Sequence, residues 1–263
     1  MKIAVIGAGN MGGAIARGLV KAGTVKPSDV TVSDISEAVL KDFSQRGCKT
    51  TDDNSRAVKG ADVVFLVVKP WLVEEVINEI KPELDFSTQL FVCVAAGISP
   101  AQLSEWLGCD ANGVVAQAFI VIPNTAIEIL QSMTFITPVT AGEQAVATVK
   151  GLLDTVGSSM VIAYNLMPAA TALASCGIAY AMRYIHAAAQ GGTELGFYPA
   201  KAVSIVCQTV MGAAGLLMEN GVHPEAEIDK VTTPGGITIK GLNEMENAGF
   251  TSAVIRGLKA SVK

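Results

Sequence analysis

The sequence predicts an α/β fold in two parts. Residues 1–163 are expected to form a Rossmann-type, doubly wound parallel sheet, and residues 164–263 an all-α dimerisation domain. Three observations lead to this prediction. Short β-branched runs alternate with helical stretches in the first half, which is typical of parallel strand–helix units. A glycine-rich turn joins the first strand to the first helix, and no convincing strand pattern follows Tyr164.

The elements of the first part alternate in order along the chain. The predicted strands cover residues 2–6, 30–33, 62–68, 90–94, 114–122, 134–136 and 160–162, and the predicted helices cover residues 10–22, 36–46, 71–80, 100–107 and 142–156. Residues 62–68 form an unbroken apolar run after Asp62, as expected for a strand covered on both faces. Ser36 and Gly47 mark the start and the end of the second helix.

The second part is expected to contain only helices. They cover residues 167–190, 198–220, 225–232 and 237–248, with a last helix after Thr251. The first two are apolar around most of their circumference, and a unit of this size cannot bury both by itself, so dimerisation is predicted. Residues 167–189 could be mistaken for a membrane span, but they carry Arg183 and His186. A helix buried between subunits therefore explains them better.

Composition narrows the possible partners. The net charge is −5 without any Lys/Arg run, so no nucleic-acid partner is expected. The five cysteines include no Cys-x-x-Cys pair, which favours reduced, buried thiols in a cytoplasmic protein. Two histidines make a histidine-based metal site improbable. Residues 1–13 lack a basic start and turn into a glycine loop too soon for a signal peptide. We therefore expect a cytoplasmic protein without a metal or a membrane partner.

The glycine-rich turn reads Gly7-Ala8-Gly9-Asn10-Met11-Gly12. In such a turn the first glycine permits the tight bend, the second lets the backbone approach a pyrophosphate, and the third lets the helix pack on the strand. The helix N-terminus then presents N–H groups and a positive dipole end to the phosphates. A lone match of this kind is weak, but the strand before it and the helix after it predict dinucleotide binding.

Ser33 and Asp34 lie at the end of the second predicted strand, about 20 residues after Gly12. An acidic residue there can accept a hydrogen bond from a ribose 2′-hydroxyl and would repel a 2′-phosphate, which favours NADH. The alternative is that Asp34 helps to cap the next helix, as Ser36 could also do. The choice between NADH and NADPH stays open at this point.

Three later segments could complete a site. Ala95-Ala96-Gly97 and Pro123-Asn124-Thr125 each follow a strand, although each could be a plain turn. Thr233-Pro234-Gly235-Gly236-Ile237-Thr238 precedes a helix, with Thr233 as a possible N-cap and Pro234 as the first helical residue. Its glycine pair would leave N–H groups bare for a carboxylate, with ordinary helix capping as the alternative.

These segments and several others resemble those of the pyrroline-5-carboxylate reductase family, which catalyses the last step of proline synthesis. The resemblance runs from end to end. Besides the glycine loop it includes Asn54, Val67-Val68-Lys69-Pro70, Ala95-Ala96-Gly97-Ile98, Pro123-Asn124-Thr125, Thr171-Ala172-Leu173, Gly177, Ala179-Tyr180, Gln208-Thr209-Val210 and Pro234-Gly235-Gly236-Ile237-Thr238. The last stretch is the most specific to the family.

The resemblance implies a set of site residues. NADPH or NADH would be bound by Gly7, Gly9, Asn10, Met11, Gly12, Ser33, Asp34, Asn54, Val68, Lys69, Pro70, Ala95, Ala96, Gly97, Pro123 and Asn124. The substrate would be bound by Val231, Gly235, Gly236, Ile237 and Thr238, with Thr238 as the catalytic group near the ring. Such enzymes are dimers or multiples of dimers with interlocked helical halves, and the site combines the sheet domain of one subunit with helices of the other.

The sequence departs from the family at two places near the expected substrate ring. Where the family has Arg before Met-Pro-Asn-Thr-Pro, this chain has Ile120, with Ile122 and Ala126 at the Met and second Pro positions. Where the family has Ser-Gly-Ser-Gly-Pro-Ala-Tyr, this chain has Ala174-Ser175-Cys176-Gly177-Ile178-Ala179-Tyr180. These departures concern the choice of substrate rather than the cofactor or the fold.

The reaction implied by the resemblance needs little from the protein. A protonated pyrroline imine already accepts hydride well, so binding and orientation suffice. The first alternative is a β-hydroxyacid dehydrogenase. Members of that family resemble one another in using a lysine on the first long helix of the second domain. This chain has no lysine between Lys150 and Lys201, and Arg183 or His186 would replace it poorly. A non-catalytic dinucleotide sensor is the second alternative, and the intact Pro234-Gly235-Gly236 segment argues against it.

Overall fold

A computed structural model describes residues 1–262 of the chain. It divides into two compact units, Met1–Ser175 and Cys176–Lys263. Lys263, the last residue of the predicted helical domain, lies outside the described residues.

The first unit is built on one eight-stranded sheet with the order β3-β2-β1-β4-β5-β6-β7-β8. The strands are β1 (Ile3–Ile6), β2 (Val30–Ser33), β3 (Lys49–Thr51), β4 (Val63–Leu66), β5 (Leu90–Cys93), β6 (Gln117–Ile122), β7 (Ser132–Pro138) and β8 (Gly157–Val161). β1 to β6 are parallel, which confirms the Rossmann-type fold. β7 pairs antiparallel with β6, and β8 follows β7, so the last two strands run against the rest.

Helices flank this sheet in the first unit. They are α1 (Asn10–Lys21), α2 (Glu37–Gln45), α3 (Asn54–Val58), α4 (Val73–Ile80), α5 (Pro100–Leu107), α6 (Glu143–Asp154) and the short α7 (Met167–Ala170). Neither β3 nor α3 was predicted from the sequence pattern. The fifth predicted strand was expected to begin at residue 114, whereas Val115 forms only an isolated bridge with Cys109 and the strand begins at Gln117.

Alternating residues of the central strands fill two cores, one on each face of the sheet. On one face Ile3 and Val5 pack with Ile15 and Leu19 of α1. On the other face the alternate strand residues, among them Ile6, pack with residues of α4 and α5 such as Ile77 and Leu103. Because both faces are covered, the central strands are apolar at successive positions.

Helix α1 lies unusually close to the turn that follows β6. A Cβ atom placed on Gly18 would lie 2.4 Å from the carbonyl oxygen of Ile127. No side chain fits into this contact without moving the turn, which spans Thr125–Ile129.

We therefore expect Gly18→Ala to lower the free energy of unfolding by about 1–3 kcal/mol, because overpacking forces the backbone to shift. The matched control is Gly151→Ala in α6, where the added Cβ would meet nothing within 4 Å. That change should be neutral or stabilising by up to about 1 kcal/mol, because alanine favours helix. Urea unfolding followed by far-UV circular dichroism measures both. Equal stability of Gly18→Ala and the wild type would contradict the close contact.

Up to residue 262, the second unit contains five helices. They are α8 (Gly177–Glu194), α9 (Pro199–Asn220), α10 (Pro224–Val231), α11 (Ile237–Asn247) and α12 (Phe250–Ala260). The predicted helix over residues 167–190 is wrong as a single element, because α7 is followed by a π-helical turn, Thr171–Cys176, before α8 begins. α8 and α9 pack closely where Gly192 faces Ala202, with 3.3 Å between an added Cβ and the alanine Cβ.

Most apolar side chains of the second unit are exposed in a single chain. Examples are Met182, Leu195, Met211 and Met218, which are 61%, 86%, 67% and 83% exposed. Within the described residues one helix, α9, is long and apolar enough to cross a membrane by length and composition alone. Residues 167–189, which the sequence suggested could be mistaken for a membrane span, are not part of this helix. So much exposed apolar area marks this unit as a surface for association.

The cysteines are free thiols, but not all of them are buried as the sequence suggested. Cys48 and Cys93 are buried, and burial raises the pKa of the Cys93 thiol to about 11. Cys176 and Cys207 are half-buried, and Cys109 is exposed. The expectation of uniformly buried thiols is therefore wrong. Cys109 follows Gly108 at the end of α5, where the chain returns to the surface.

Candidate functional site

The glycine loop joins β1 to α1 at the carboxyl end of the parallel strands. Gly7 has a φ of +83°, and a Cβ there would lie 2.7 Å from the carbonyl oxygen of Val67. A Cβ on Gly12 would lie 1.9 Å from the carbonyl oxygen of Gly7. Glycine is therefore required at position 7 for the loop to approach the chain that follows β4, and at position 12 for α1 to approach the loop.

Gly9 differs from its two neighbours in the motif, because its Cβ would meet nothing within 4 Å. It is the N-cap of α1, and within residues 1–262 no side chain caps this helix start. The first N–H groups of α1, from Asn10 to Gly12, are thus open to an anion. Space above Gly9 and uncapped N–H groups beside it fit the pyrophosphate of a dinucleotide.

The end of β2 is tied to this loop by hydrogen bonds. The N–H of Gly7 donates to the carbonyl of Ser33 (2.8 Å), and the N–H of Ala8 donates to Oδ2 of Asp34 (2.7 Å). The buried Ser33 hydroxyl donates to Oδ1 of Asn54 (2.8 Å), whose Nδ2 donates to Oε2 of Glu79 (2.9 Å). The structure thus brings three of the predicted cofactor residues together beside the loop.

Two further strand ends lie along the same edge. Val68 follows β4, and its Cγ1 would lie 3.2 Å from a Cβ on Gly7. Lys69 is exposed, and Pro70 opens a 3₁₀ turn, Pro70–Leu72. The central residue of this turn, Trp71, is 76% exposed. It was not among the site residues expected from the sequence.

After β5, Ala95 is buried, whereas Ala96 and Gly97 are exposed. Gly97 turns the chain with a φ of +84°. The predicted residues at these ends therefore line the edge at which the parallel strands finish, which is where open α/β sheets bind ligands.

Asn124, at the end of β6, is only 6% exposed and is bonded within the protein. Its Oδ1 accepts the N–H of Ala126 (3.0 Å), and its Nδ2 donates to the carbonyl of Ala174 (3.3 Å) in the π-helical turn. Asn124 therefore holds two chain segments together. Sequence reasoning missed this contact, which joins residues 50 positions apart without a shared pattern. Pro123, the other predicted residue here, directly precedes Asn124, which is the N-cap of the 3₁₀ turn Thr125–Ile129.

Ile120 does not face an open site. It is 2% exposed and packs in the core beside β5 and α5. The Ile120 side chain is therefore part of the core, and its nearness to the substrate ring stays a prediction. An isoleucine fits its apolar surroundings, where an unpaired arginine would be costly.

The second unit carries the other predicted segment in a turn before α11. The N-cap of α11 is Gly236, and the helix begins at Ile237, so the prediction of Thr233 as N-cap and Pro234 as the first helical residue is wrong. Gly235 has a φ of +71°, and the N–H of Gly236 donates to the carbonyl of Thr233 (2.9 Å). The predicted helix over residues 237–248 nevertheless agrees with α11, and the turn occupies the residues suggested for its N-terminal cap.

The start of α11 is open. A Cβ on Gly236 would lie 2.5 Å from Oγ1 of Thr233, so a side chain there would have to displace the Thr233 hydroxyl. Within the described chain no side chain caps α11, and Ile237 and Thr238 are exposed. Val231, the last residue of α10, is also exposed. Bare N–H groups next to a hydroxyl suit a carboxylate. No group of acidic, histidine or cysteine residues that could hold a metal ion is found between residues 1 and 262.

Comparisons with known proteins match both units. Residues 164–263 match the family model described as pyrroline-5-carboxylate reductase dimerisation. Residues 2–97 match the model described as NADP oxidoreductase coenzyme F420-dependent.

Individual relatives match over almost the whole chain. The chain is 38% identical over 98% of its length to pyrroline-5-carboxylate reductase 1 of Dictyostelium discoideum, and it spans 48%, about half, of that relative. It is 34% identical to pyrroline-5-carboxylate reductase 2 of the same organism, with 99% of this chain and 91% of the relative covered. The solved structure of 1-pyrroline-5-carboxylate reductase from Streptococcus pyogenes matches with a TM-score of 0.84 at 32% identity, covering 100% of this chain and 96% of that chain.

Proposed function

Because the chain belongs to the pyrroline-5-carboxylate reductase family, we infer that it is an NAD(P)H-dependent oxidoreductase that reduces the C=N bond of 1-pyrroline-5-carboxylate to give L-proline. The resemblance drawn from the sequence motifs is confirmed. One observation carries the proposal: the glycine loop of the first unit and the uncapped, glycine-started helix α11 of the second unit are both intact in a chain matched along 99% of its length.

The cofactor half of the site is proposed to lie along the carboxyl edge of the sheet. The residues assigned to it are Gly7, Gly9, Asn10, Met11, Gly12, Ser33, Asp34, Asn54, Val68, Lys69, Pro70, Ala95, Ala96, Gly97, Pro123 and Asn124. Gly9 leaves room for the pyrophosphate, and the first N–H groups of α1 bind it. Asn124 is assigned a supporting role, since both ends of its amide are already bonded within the protein.

The substrate half is proposed to be the start of α11. The residues assigned to it are Val231, Gly235, Gly236, Ile237 and Thr238. The N–H groups at the start of the helix bind the carboxylate, and the positive end of the helix dipole stabilises its charge. The Thr238 hydroxyl accepts a hydrogen bond from the protonated imine nitrogen and thereby orients the ring.

The chain's own residues contribute binding and orientation to the reaction. When bound, NAD(P)H supplies the hydride for the imine carbon. The imine enters protonated, so no side chain has to act as a strong acid. This agrees with the lack of lysine between Lys150 and Lys201.

The second unit is proposed to act as the dimerisation domain, with the functional boundary between residues 163 and 164, where the family match begins. Its exposed apolar side chains, including those of α9, would be covered by another subunit rather than by lipid. We propose a dimer or a multiple of dimers in the cytoplasm, with no membrane partner.

The proposal predicts substrate-dependent oxidation of the reduced cofactor. We expect absorbance at the reduced-nicotinamide band to fall only when pyrroline-5-carboxylate is added to the full chain with NADH or NADPH. Turnover confined to β-hydroxy acids with the oxidised cofactor would instead favour the dehydrogenase alternative. Tight dinucleotide binding without turnover of either substrate would favour the sensor.

A further inference from the structure

The carboxylate of Asp34 is fixed at the end of β2 by two backbone groups. Oδ2 accepts the N–H of Ala8 in the glycine loop (2.7 Å), and Oδ1 accepts the N–H of Ser36 (2.8 Å). A carboxylate offers about four acceptor positions, so about two remain for a ligand. Asp34 is therefore oriented beside the loop that holds the pyrophosphate, with acceptor capacity to spare.

Capping of α2 does not explain this arrangement. α2 begins at Glu37, its N-cap is Ser36, and the Ser36 side chain makes no capping hydrogen bond. The contact of Asp34 with Ser36 precedes the helix, and its other contact is with a residue 26 positions away. Asp34 thus serves the glycine loop rather than the helix.

The charges around this point oppose a phosphate. Residues 33–40 contain two carboxylates, those of Asp34 and Glu37, and neither lysine nor arginine. Lys41, in the second turn of α2, is the first cation after Asp34. Arg17 of α1 is paired with Glu128 (2.8 Å). A 2′-phosphate on the ribose would therefore meet a fixed negative charge.

The residue after Asp34 is unusual in a different way. Ile35 is 100% exposed, whereas isoleucine is among the residue types that are most often buried. A single exposed apolar side chain needs no explanation by itself. Placed next to the group that would bind the ribose, it provides an apolar surface for the adenine ring.

We propose that Asp34 accepts hydrogen bonds from the adenosine ribose hydroxyls, that Ile35 packs on the adenine ring, and that the chain therefore prefers NADH to NADPH. This inference rests on the proposed function, since it requires a dinucleotide bound at the glycine loop. It goes further by naming the cofactor and the two residues that select it.

Isothermal titration calorimetry of the full chain with NADH and with NADPH tests the preference without turnover. We expect NADH to bind about tenfold to a hundredfold more tightly, as befits hydrogen bonds to a charged acceptor. Ile35→Arg should reduce or reverse the preference for NADH, because it adds a cation that can pair with the 2′-phosphate of NADPH. The change is at a fully exposed side chain and keeps both hydrogen bonds of Asp34. Asp34→Asn should weaken NADH binding and strengthen NADPH binding.

The matched control is Glu37→Gln, which removes a negative charge from the first residue of α2, three residues after Asp34. It should leave the NADH/NADPH ratio within about twofold of the wild type, because Glu37, unlike Asp34, makes no hydrogen bond to the glycine loop. Equal or tighter NADPH binding by the wild type, or a ratio unchanged in Ile35→Arg, would overturn the proposal. If Asp34→Asn does not fold, Ile35→Arg decides alone. Failure to bind either dinucleotide would instead overturn the proposed function.

Discussion

Gly9→Val is expected to abolish binding of NADH and NADPH and to leave the fold intact. The added side chain meets no protein atom within 4 Å of its Cβ, so it projects into the space assigned to the pyrophosphate. Calorimetry should detect no binding at millimolar dinucleotide, and the thermal midpoint should stay close to that of the wild type.

Gly12→Ala provides the contrast for this result. Its Cβ would lie 1.9 Å from the carbonyl oxygen of Gly7, so the loop itself has to shift. That variant should lose both dinucleotide binding and thermal stability. If Gly9→Val still binds the cofactor with wild-type affinity, the loop is not the pyrophosphate site.

Thr238→Ala is expected to raise the substrate KM and to lower kcat/KM, with a loss of roughly 1–3 kcal/mol of transition-state stabilisation. The reason is the loss of the hydroxyl that orients the imine at the start of α11. Thr238 is exposed in the chain, so the fold should not depend on it. Steady-state kinetics with pyrroline-5-carboxylate measures the change.

Two measurements separate this role from a structural one. Thr238→Ser, which keeps the hydroxyl, should retain most of kcat/KM, whereas Thr238→Val should behave like the alanine variant. Dinucleotide affinity should be the same in all three variants. Kinetics of Thr238→Ala equal to the wild type would remove Thr238 from the site.

Local patterns in the sequence were sufficient for the central elements of the first unit. An apolar run before Gly7 and a helical stretch after Gly9 define β1 and α1 without long-range information. β3 was missed because its three residues, Lys49–Thr51, are polar or β-branched without an apolar alternation, and pairing with β2 forms the strand. α3 had a readable signal in Asp53, whose Oδ1 accepts the N–H of Arg56 (3.0 Å) as an N-cap.

The details of the candidate site were less predictable. Thr233 and Pro234 have the composition of a helix start, but the positive φ of Gly235 turns the chain and moves the N-cap to Gly236. A sequence pattern does not report whether a glycine adopts positive φ at a given place. The bond from Asn124 to Ala174 depends on tertiary packing and had no local signal.

Because β7 and β8 run in the reverse direction, the length of the segment that follows β8 is constrained. The chain leaves β8 heading away from the edge at which β6 ends, yet Ala174 meets Asn124 beside that edge. Residues 162–174 lead the chain back to that edge, and a hydrogen bond fixes each end of this segment. The carbonyl of Ile162 accepts a hydrogen bond from the Thr137 hydroxyl, and the carbonyl of Ala174 accepts one from Asn124. One helical residue advances a chain by about 1.5 Å, more than a hydrogen bond can absorb. An inserted or deleted residue in this stretch is therefore expected to break the hydrogen bond between Asn124 and Ala174, whereas substitutions at its exposed side chains, such as Leu166 and Leu173, should leave that bond in place.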